Sequence, residues 1–179
     1  MVARLADLDP TTLYALLRLR VDVFVVEQRC PYPELDGRDT EPDARHLWLA
    51  DEGSAAAPLA YLRLLADPDG AARIGRVVVP AAHRGGGHAT RLIRHALELV
   101  GDAPCVLEAQ AHLAAFYARF GFAVTGPEYL EDGIPHLPMR RTPGTAAGGA
   151  PPAAAAQGVT VPGVTAASPP GRAPSAAAP

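Results

Sequence analysis

Three β-branched residues, Val77, Val78 and Val79, are followed six positions later by three glycines, Gly85, Gly86 and Gly87, and then by a helical pattern over residues 91–99. The valines read as a buried strand and the glycines as the turn that carries the chain from it into a helix. With no Cβ on three successive residues, a ligand can lie directly on backbone N–H groups. The unpaired donors and the positive dipole end of the next helix favour an anion. Gly-Gly-Gly by itself supports two readings, a phosphate cradle and a tight connection whose glycines serve conformation alone. The surrounding chain has to decide between them.

Upstream, Asp9-Pro10-Thr11-Thr12 supplies a capping side chain and a proline at a helix start, after a short strand expected within residues 2–6. The helical pattern runs through Leu13, Leu16, Leu17, Arg20, Phe24 and Glu27, although residues 21–28 also favour a strand. Residues 30–43 form a long polar loop with three prolines. It is a candidate substrate lip whose acidic residues attract a cation, or a solvated surface loop. Strand candidates at residues 46–50, 59–65 and 72–79 are separated by Asp51-Glu52-Gly53 and Asp67-Pro68-Asp69-Gly70, which predicts an antiparallel meander. Downstream, the helix ends near Val100-Gly101 and a strand at residues 105–110 completes a parallel crossover unit. A short helix over residues 111–120 stops at Gly121, and a last strand around residues 136–140, in a segment with two prolines, is expected at a sheet edge.

Composition separates this domain, residues 1–141, from the remainder of the chain. From Thr142 onward the only charged residue is Arg172 and the rest is mostly Ala, Pro, Gly, Ser and Thr. Such a stretch cannot bury enough apolar surface to offset its ordering entropy, so residues 142–179 are expected to be a disordered Ala/Pro/Gly-rich tail. A net charge of −3, with all 16 basic residues arginine, argues against a nucleic-acid partner. Two cysteines without a Cys-x-x-Cys spacing point to a reducing compartment, though a single bridge stays open. The first residues lack the apolar core of a signal peptide and no apolar run is long enough to span a bilayer, so a cytoplasmic protein is expected. The histidines have no metal-ligand spacing, and no metal is expected.

Taken together, Arg84-x-x-Gly87-x-Ala89 at a strand-to-helix turn, followed by Phe116-Tyr117-Ala118-Arg119-Phe120-Gly121-Phe122, resemble the GNAT superfamily of N-acetyltransferases. Further segments are similar to its ElaA-type subfamily: residues 23–28, Cys30-Pro31-Tyr32, residues 35–39, Ala109-Gln110-Ala111-His112-Leu113, and Glu131-Asp132-Gly133-Ile134-Pro135-His136. The resemblance covers nearly everything up to Arg141. It implies an α+β fold, a mixed and mostly antiparallel sheet with helices on both faces.

The resemblance also implies acetyl-CoA as co-substrate. The backbone of Val77, Val78 and Val79 would pair with the pantetheine arm. Arg84, Gly85, Gly86, Gly87, His88 and Ala89 would surround the pyrophosphate, and Gln110 would reach the cofactor where many relatives carry asparagine. Tyr117 matches the family tyrosine that protonates departing CoA thiolate, though a tyrosine among Phe116, Phe120 and Phe122 also packs. For the base that accepts the amine proton, Glu27, Glu108 and His112 are the candidates. Their structural alternatives are a cap or hydrogen-bond partner, a solvent-facing strand residue and a packed histidine. The implied reaction is acetyl transfer to a primary amine of a small molecule or peptide, by direct attack in a ternary complex. No nucleic-acid or membrane partner is implied, and a homodimer is admitted. The alternative is a non-catalytic acyl-CoA-binding sensor on the same fold. A nucleotide site is disfavoured by the antiparallel strands ahead of the turn and the missing Walker lysine.

Overall fold

The computed structural model describes residues 1–51, 57–142 and 144. Beyond Asp51, the expected turn at Asp51-Glu52-Gly53 lies outside the described residues, as does the expected tail beyond Thr142 and Gly144. A two-residue strand β1 (Val2–Ala3) gives way to a 3-10 turn, so the expected first strand is shorter than residues 2–6. Helix α1 (Pro10–Arg20) starts as its sequence dictates: the Asp9 carboxylate accepts from the N–H groups of Thr11 and Thr12, both at 3.0 Å. Residues Val21–Glu27 stay helical but widen into π turns, with Gln28 N–H reaching the Val23 carbonyl at 3.0 Å. The strand-favouring residues there are overridden because Val23 buries against the sheet.

Strands β2 (Arg45–Ala50), β3 (Pro58–Ala66) and β4 (Ala72–Val78) form the predicted antiparallel meander. Helix α2 (His88–Val100) crosses over to β5 (Cys105–Gln110), which lies parallel to β4. A 3-10 turn and helix α3 (Ala114–Ala118) lead to β6 (Ala123–Val124), β7 (Tyr129–Glu131) and β8 (Ile134–Arg141). The sheet runs β1-β2-β3-β4-β5-β8-β6, with β7 also on β8.

Two apolar layers cover this sheet, and strand alternation sorts residues between them. Leu47, Ala60, Leu62, Ile74, Leu107 and Met139 pack with Leu92, Ile93 and Ala96 of α2 and with Tyr117, Phe120 and Phe122. Trp48, Tyr61 and Val78 face the other way, against Leu16, Leu19 and Val23.

The expected edge strand is not at an edge. β8 pairs with β5 from His136 to Arg141 and with β6 and β7 on its other side. Pro138 is tolerated because its carbonyl points to the β6 side, where it accepts from Thr125 N–H at 2.9 Å. The N and C=O of one strand residue face the same side, so the missing donor falls between the stretches covered by β6 and β7 and spares the β5 ladder.

β4 carries the irregularity that shapes the site. Its register with β3 runs evenly from Ala72 opposite Ala66 to Gly75 opposite Arg63, but Val78 then faces Tyr61 where Val77 would continue the register. One extra residue has been inserted, and Arg76 there takes a left-handed backbone with φ 54°. The insertion exchanges the faces: Ala72 and Ile74 pack toward α2, then Val77 and Val79 do, while Val78 turns toward α1.

Candidate functional site

β4 and β5 pair only at Ala72 with Cys105 and Arg73 with Val106, and from there the two parallel strands diverge. Between them opens a cleft of about 1820 Å³, bordered by Val77 to Val79 on one wall, Leu107, Glu108 and Gln110 on the other, and the start of α2 at one end. Single ligand pockets are typically on the order of 300–1,000 Å³, so this volume accommodates an extended cofactor together with a second reactant. The β4 edge that faces the gap has backbone N–H and C=O groups with no β5 ladder to receive them.

The three glycines stand where the sequence places them, for two distinct reasons. Gly85 and Gly87 have φ of 81° and 75°, a conformation side chains rarely adopt. A Cβ on Gly86 would lie 2.9 Å from Nε2 of His88, so a side chain there would force the His88 ring to move. Gly87 precedes α2 and accepts from Arg91 N–H at 3.0 Å, and no side chain caps the helix. The N–H groups of the first helical turn are therefore left for a ligand. Nδ1 of His88 is buried without a hydrogen-bond partner among the described residues, and His88 lines the cleft. This donor set suits a phosphate-bearing anion.

Arg84 is engaged elsewhere. Its Nε donates to the Val79 carbonyl at 3.1 Å and its terminal nitrogens hold both Glu27 oxygens at 2.7 and 2.8 Å. Glu27, expected as a candidate base, thus ties the end of the π segment to the glycine turn. Next to it, Gln28 accepts from the side-chain amide of Gln110 at 3.3 Å, so Gln110 spans the cleft mouth.

Tyr117 is buried against the rings of Phe116 and Phe122, so packing is one of its roles. Yet it also lines the cleft, and its hydroxyl has no hydrogen-bond partner among the described residues. Burial pushes the phenol up, keeping it protonated. Glu108 lines the cleft with both oxygens occupied, one by Arg73 at 3.3 Å and one by the Tyr129 hydroxyl at 2.9 Å. His112 borders the cleft, exposed, with no hydrogen bond to hold its ring among the described residues. Among the described residues no group of His, Cys, Asp and Glu is arranged to hold a metal, and Cys30 and Cys105 are free and buried.

The 30–43 loop borders the cleft through Cys30, Tyr32, Asp36 and Arg38, as a lip would, but its charges are used differently from either sequence reading. Three of its five acids are held by arginines from outside the loop and are not waiting for a cation. Glu34 and Asp39 are buried, and with Asp36 they neutralise Arg20, Arg63 and Arg76, three carboxylates for three guanidinium groups. Arg20 is 0% exposed and holds Glu34 at 2.9 Å and Asp39 at 2.7 Å. Arg63 grips Asp36 through two bonds of 2.7 Å and reaches Asp39 at 3.0 Å. Burial works against ionised Asp36, but the hydrogen bonds and charge of Arg63, joined by Arg76, outweigh it and draw the carboxyl down to about 2. Arg76, the bulge residue, lies 2.9 Å from Glu34 and 3.1 Å from Asp36, so the cluster anchors both the loop and the kink in β4. A weak sequence signal existed: Arg63 interrupts the apolar run of residues 59–65, and an arginine in a buried strand must be paired.

His136 also escaped the set of candidate bases. It sits opposite Gln110 on β5 and Tyr129 on β7, and it lines the cleft. The signal that could have found it was its place in the Glu131-to-His136 segment, which pairs a titratable ring with an acidic turn.

Known proteins share this fold. Residues 21–143 match the acetyltransferase (GNAT) domain family. The chain is similar to protein ElaA of Escherichia coli, 44% identical over 144 residues that span 76% of this chain and 91% of ElaA. It is also similar to a UPF0039 protein of Mycobacterium tuberculosis, 52% identical over 136 residues, 75% of this chain and 87% of that protein. Among solved structures, an acyl-CoA N-acyltransferase from Pseudomonas aeruginosa superposes with a TM-score of 0.73 at 48% identity, covering 79% of this chain and 97% of that one.

Proposed function

The chain belongs to the GNAT acetyltransferase family, in which it is ElaA-like, and on that premise we propose that it transfers an acetyl group from acetyl-CoA to a primary amine of a small molecule or peptide. Membership by itself supports acyl transfer from a CoA thioester, in keeping with the Pseudomonas aeruginosa relative. The observation that carries the finer reading is the divergence of β4 from β5. It presents an unpaired strand edge and a bare helix start along one continuous cleft that Tyr117 also lines.

In this reading the pantetheine arm adds to the free edge of Val77 to Val79 as a partial strand. The pyrophosphate rests on N–H groups between Gly85 and Ala89, with His88 alongside, and Gln110 closes the mouth. Arg84 positions the turn through Glu27 and Val79. The amine nitrogen attacks the thioester carbonyl directly, forming the C–N bond. The C–S bond then breaks, and its electron pair leaves with sulfur. A buried phenol is a weaker acid than a thiol of pKa about 8.5, so Tyr117 acts first as a hydrogen-bond donor to sulfur as charge develops there. The proton that sulfur finally keeps passes through the phenol, which recovers one from the attacking nitrogen. Glu108, with both oxygens engaged, and exposed His112 shape the acceptor side.

The test is CoA thiol release and acetyl mass shift across a panel of amines and peptides. Amine-dependent release above spontaneous hydrolysis supports the reading. Calorimetric binding of acetyl-CoA without release from any amine would reduce the protein to a binder.

A further inference from the structure

We infer that His136 is the base that takes the proton from the incoming ammonium group, with Glu131 holding the charged ring. The inference rests on the acyl-transfer reading above and names a residue for the step that reading leaves open. An amine that is protonated in water must lose one proton before its lone pair can attack, so the acceptor end of the cleft needs a group that is unoccupied, polarised and correctly tautomeric.

The other candidates lack one of these properties. Both oxygens of Glu27 are held by Arg84. Both oxygens of Glu108 are held, by Arg73 and Tyr129. The ring of His112 is not fixed by any hydrogen bond among the described residues.

His136 meets all three requirements. Its Nδ1 lies 2.9 Å from the carbonyl of Ile134, and a carbonyl only accepts, so Nδ1 carries the proton and neutral His136 keeps its lone pair on Nε2. Nε2 stands 3.9 Å from a Glu131 carboxylate oxygen, within ion-pair reach of the imidazolium once it forms. The side chain is 13% exposed, shielded but reachable, and both His136 and Glu131 line the cleft. Next to the ring stand Tyr129 and Glu131 on β7 and Gln110 on β5; the Tyr129 hydroxyl is held by Glu108, itself paired with Arg73, and Asp132 and Cys30, whose thiol donates to the Asp132 carbonyl at 3.5 Å, line the same cleft. The ionisable acids of this set draw an ammonium group toward His136.

The step balances. The ammonium N–H bond breaks toward Nε2, leaving imidazolium on the enzyme and a lone pair on the amine. That pair forms the C–N bond, and the imidazolium later returns its proton to water.

The experiment compares wild type with His136→Gln and His136→Asn, whose amides can still donate to the Ile134 carbonyl. Each is assayed with two acceptors of similar shape, an alkylamine protonated at neutral pH and an amine neutral at that pH. With the alkylamine, kcat/KM falls on the order of 100-fold in both variants, and the acidic limb of its pH profile moves up to the amine's own deprotonation, the remaining source of a free lone pair. With the neutral amine the loss is only several-fold. His95→Gln, remote on α2, keeps the limb. Equal losses with both amines, or an acidic limb left unmoved from its wild-type position in both variants, would overturn the assignment while leaving acyl transfer standing. A wild type that releases no CoA with any amine would instead remove the acyl-transfer reading itself.

Discussion

Replacing Asp39 by asparagine removes one of the three carboxylates that balance three buried or half-buried arginines. Asp39 accepts from Arg20 at 2.7 and 3.1 Å and from Arg63 at 3.0 Å. The asparagine oxygen can replace part of this, but its NH₂ group then points donors at guanidinium donors. A net positive charge is left beside Arg20, which is 0% exposed. Removing one partner of a buried pair costs about 3–5 kcal/mol, a large share of the roughly 5–15 kcal/mol that stabilises a domain. At about 3 °C per kcal/mol for a domain of this size, the melting temperature drops by about 9–15 °C. The control is Asp22→Asn, because the Arg18–Asp22 pair is 68% and 58% exposed and should contribute less than about 1 kcal/mol. Urea unfolding of both variants beside wild type reads the difference directly. If Asp39→Asn lost no more than Asp22→Asn, the cluster would be an incidental arrangement, and its role in anchoring the 30–43 loop and the β4 bulge would fall with it.

Acid sensitivity arises from the same cluster. Asp36 is held at about 2 against an ordinary aspartate value near 3.9, and Asp39 is shifted in the same direction: burial opposes the shift, and Arg20 and Arg63 prevail. A depressed carboxyl stabilises the fold fully above the unfolded value and loses that contribution as pH falls toward the folded one. Asp36 alone should therefore forfeit about 1–2 kcal/mol between pH 4 and pH 2, after discount for its 27% exposure. Urea unfolding that is flat across that window would contradict it. Gly87→Val places a β-branched residue at φ 75° with nothing within 4 Å of its Cβ, so the penalty is backbone strain rather than collision. Strain of about 1–2 kcal/mol reshapes the turn, and acetyl-CoA affinity by calorimetry should fall at least about 10-fold; unchanged affinity would remove the cradle. Tyr117→Phe deletes a hydrogen bond to developing charge, and kcat should fall roughly 10- to 100-fold with little change in acetyl-CoA binding. Full turnover in that variant would leave the ring a packing residue only.

Much of the fold was legible along the chain because it depends on neighbours in sequence. Asp9 caps α1 within three residues, the meander arises from turn signals between apolar runs, and the glycine turn announces an open helix start. The tandem of that turn with Tyr117 carried the family. Where sequence misled, the deciding partner was distant. The prolines near His136 argued for an edge, yet β8 became an inner strand because β6 and β7 flank it on one side and leave a gap where Pro138 lacks its donor. The acids of the 30–43 loop looked like surface charge until Arg20, Arg63 and Arg76 arrived from three other elements.

The sequence by itself determined most of the elements and where backbone is left bare at a helix start, since strand alternation, helix capping and glycine conformation act over a few residues. Only the tertiary structure decided which charged side chains remain available for chemistry. Glu27, Glu108 and His136 all carry groups able to accept a proton, but Arg84 occupies the first, Arg73 and Tyr129 the second, and the Ile134 carbonyl takes one nitrogen of the third and leaves the other. A side chain's chemistry is set by what neutralises it, and those partners are brought together by the fold from positions up to 57 residues apart.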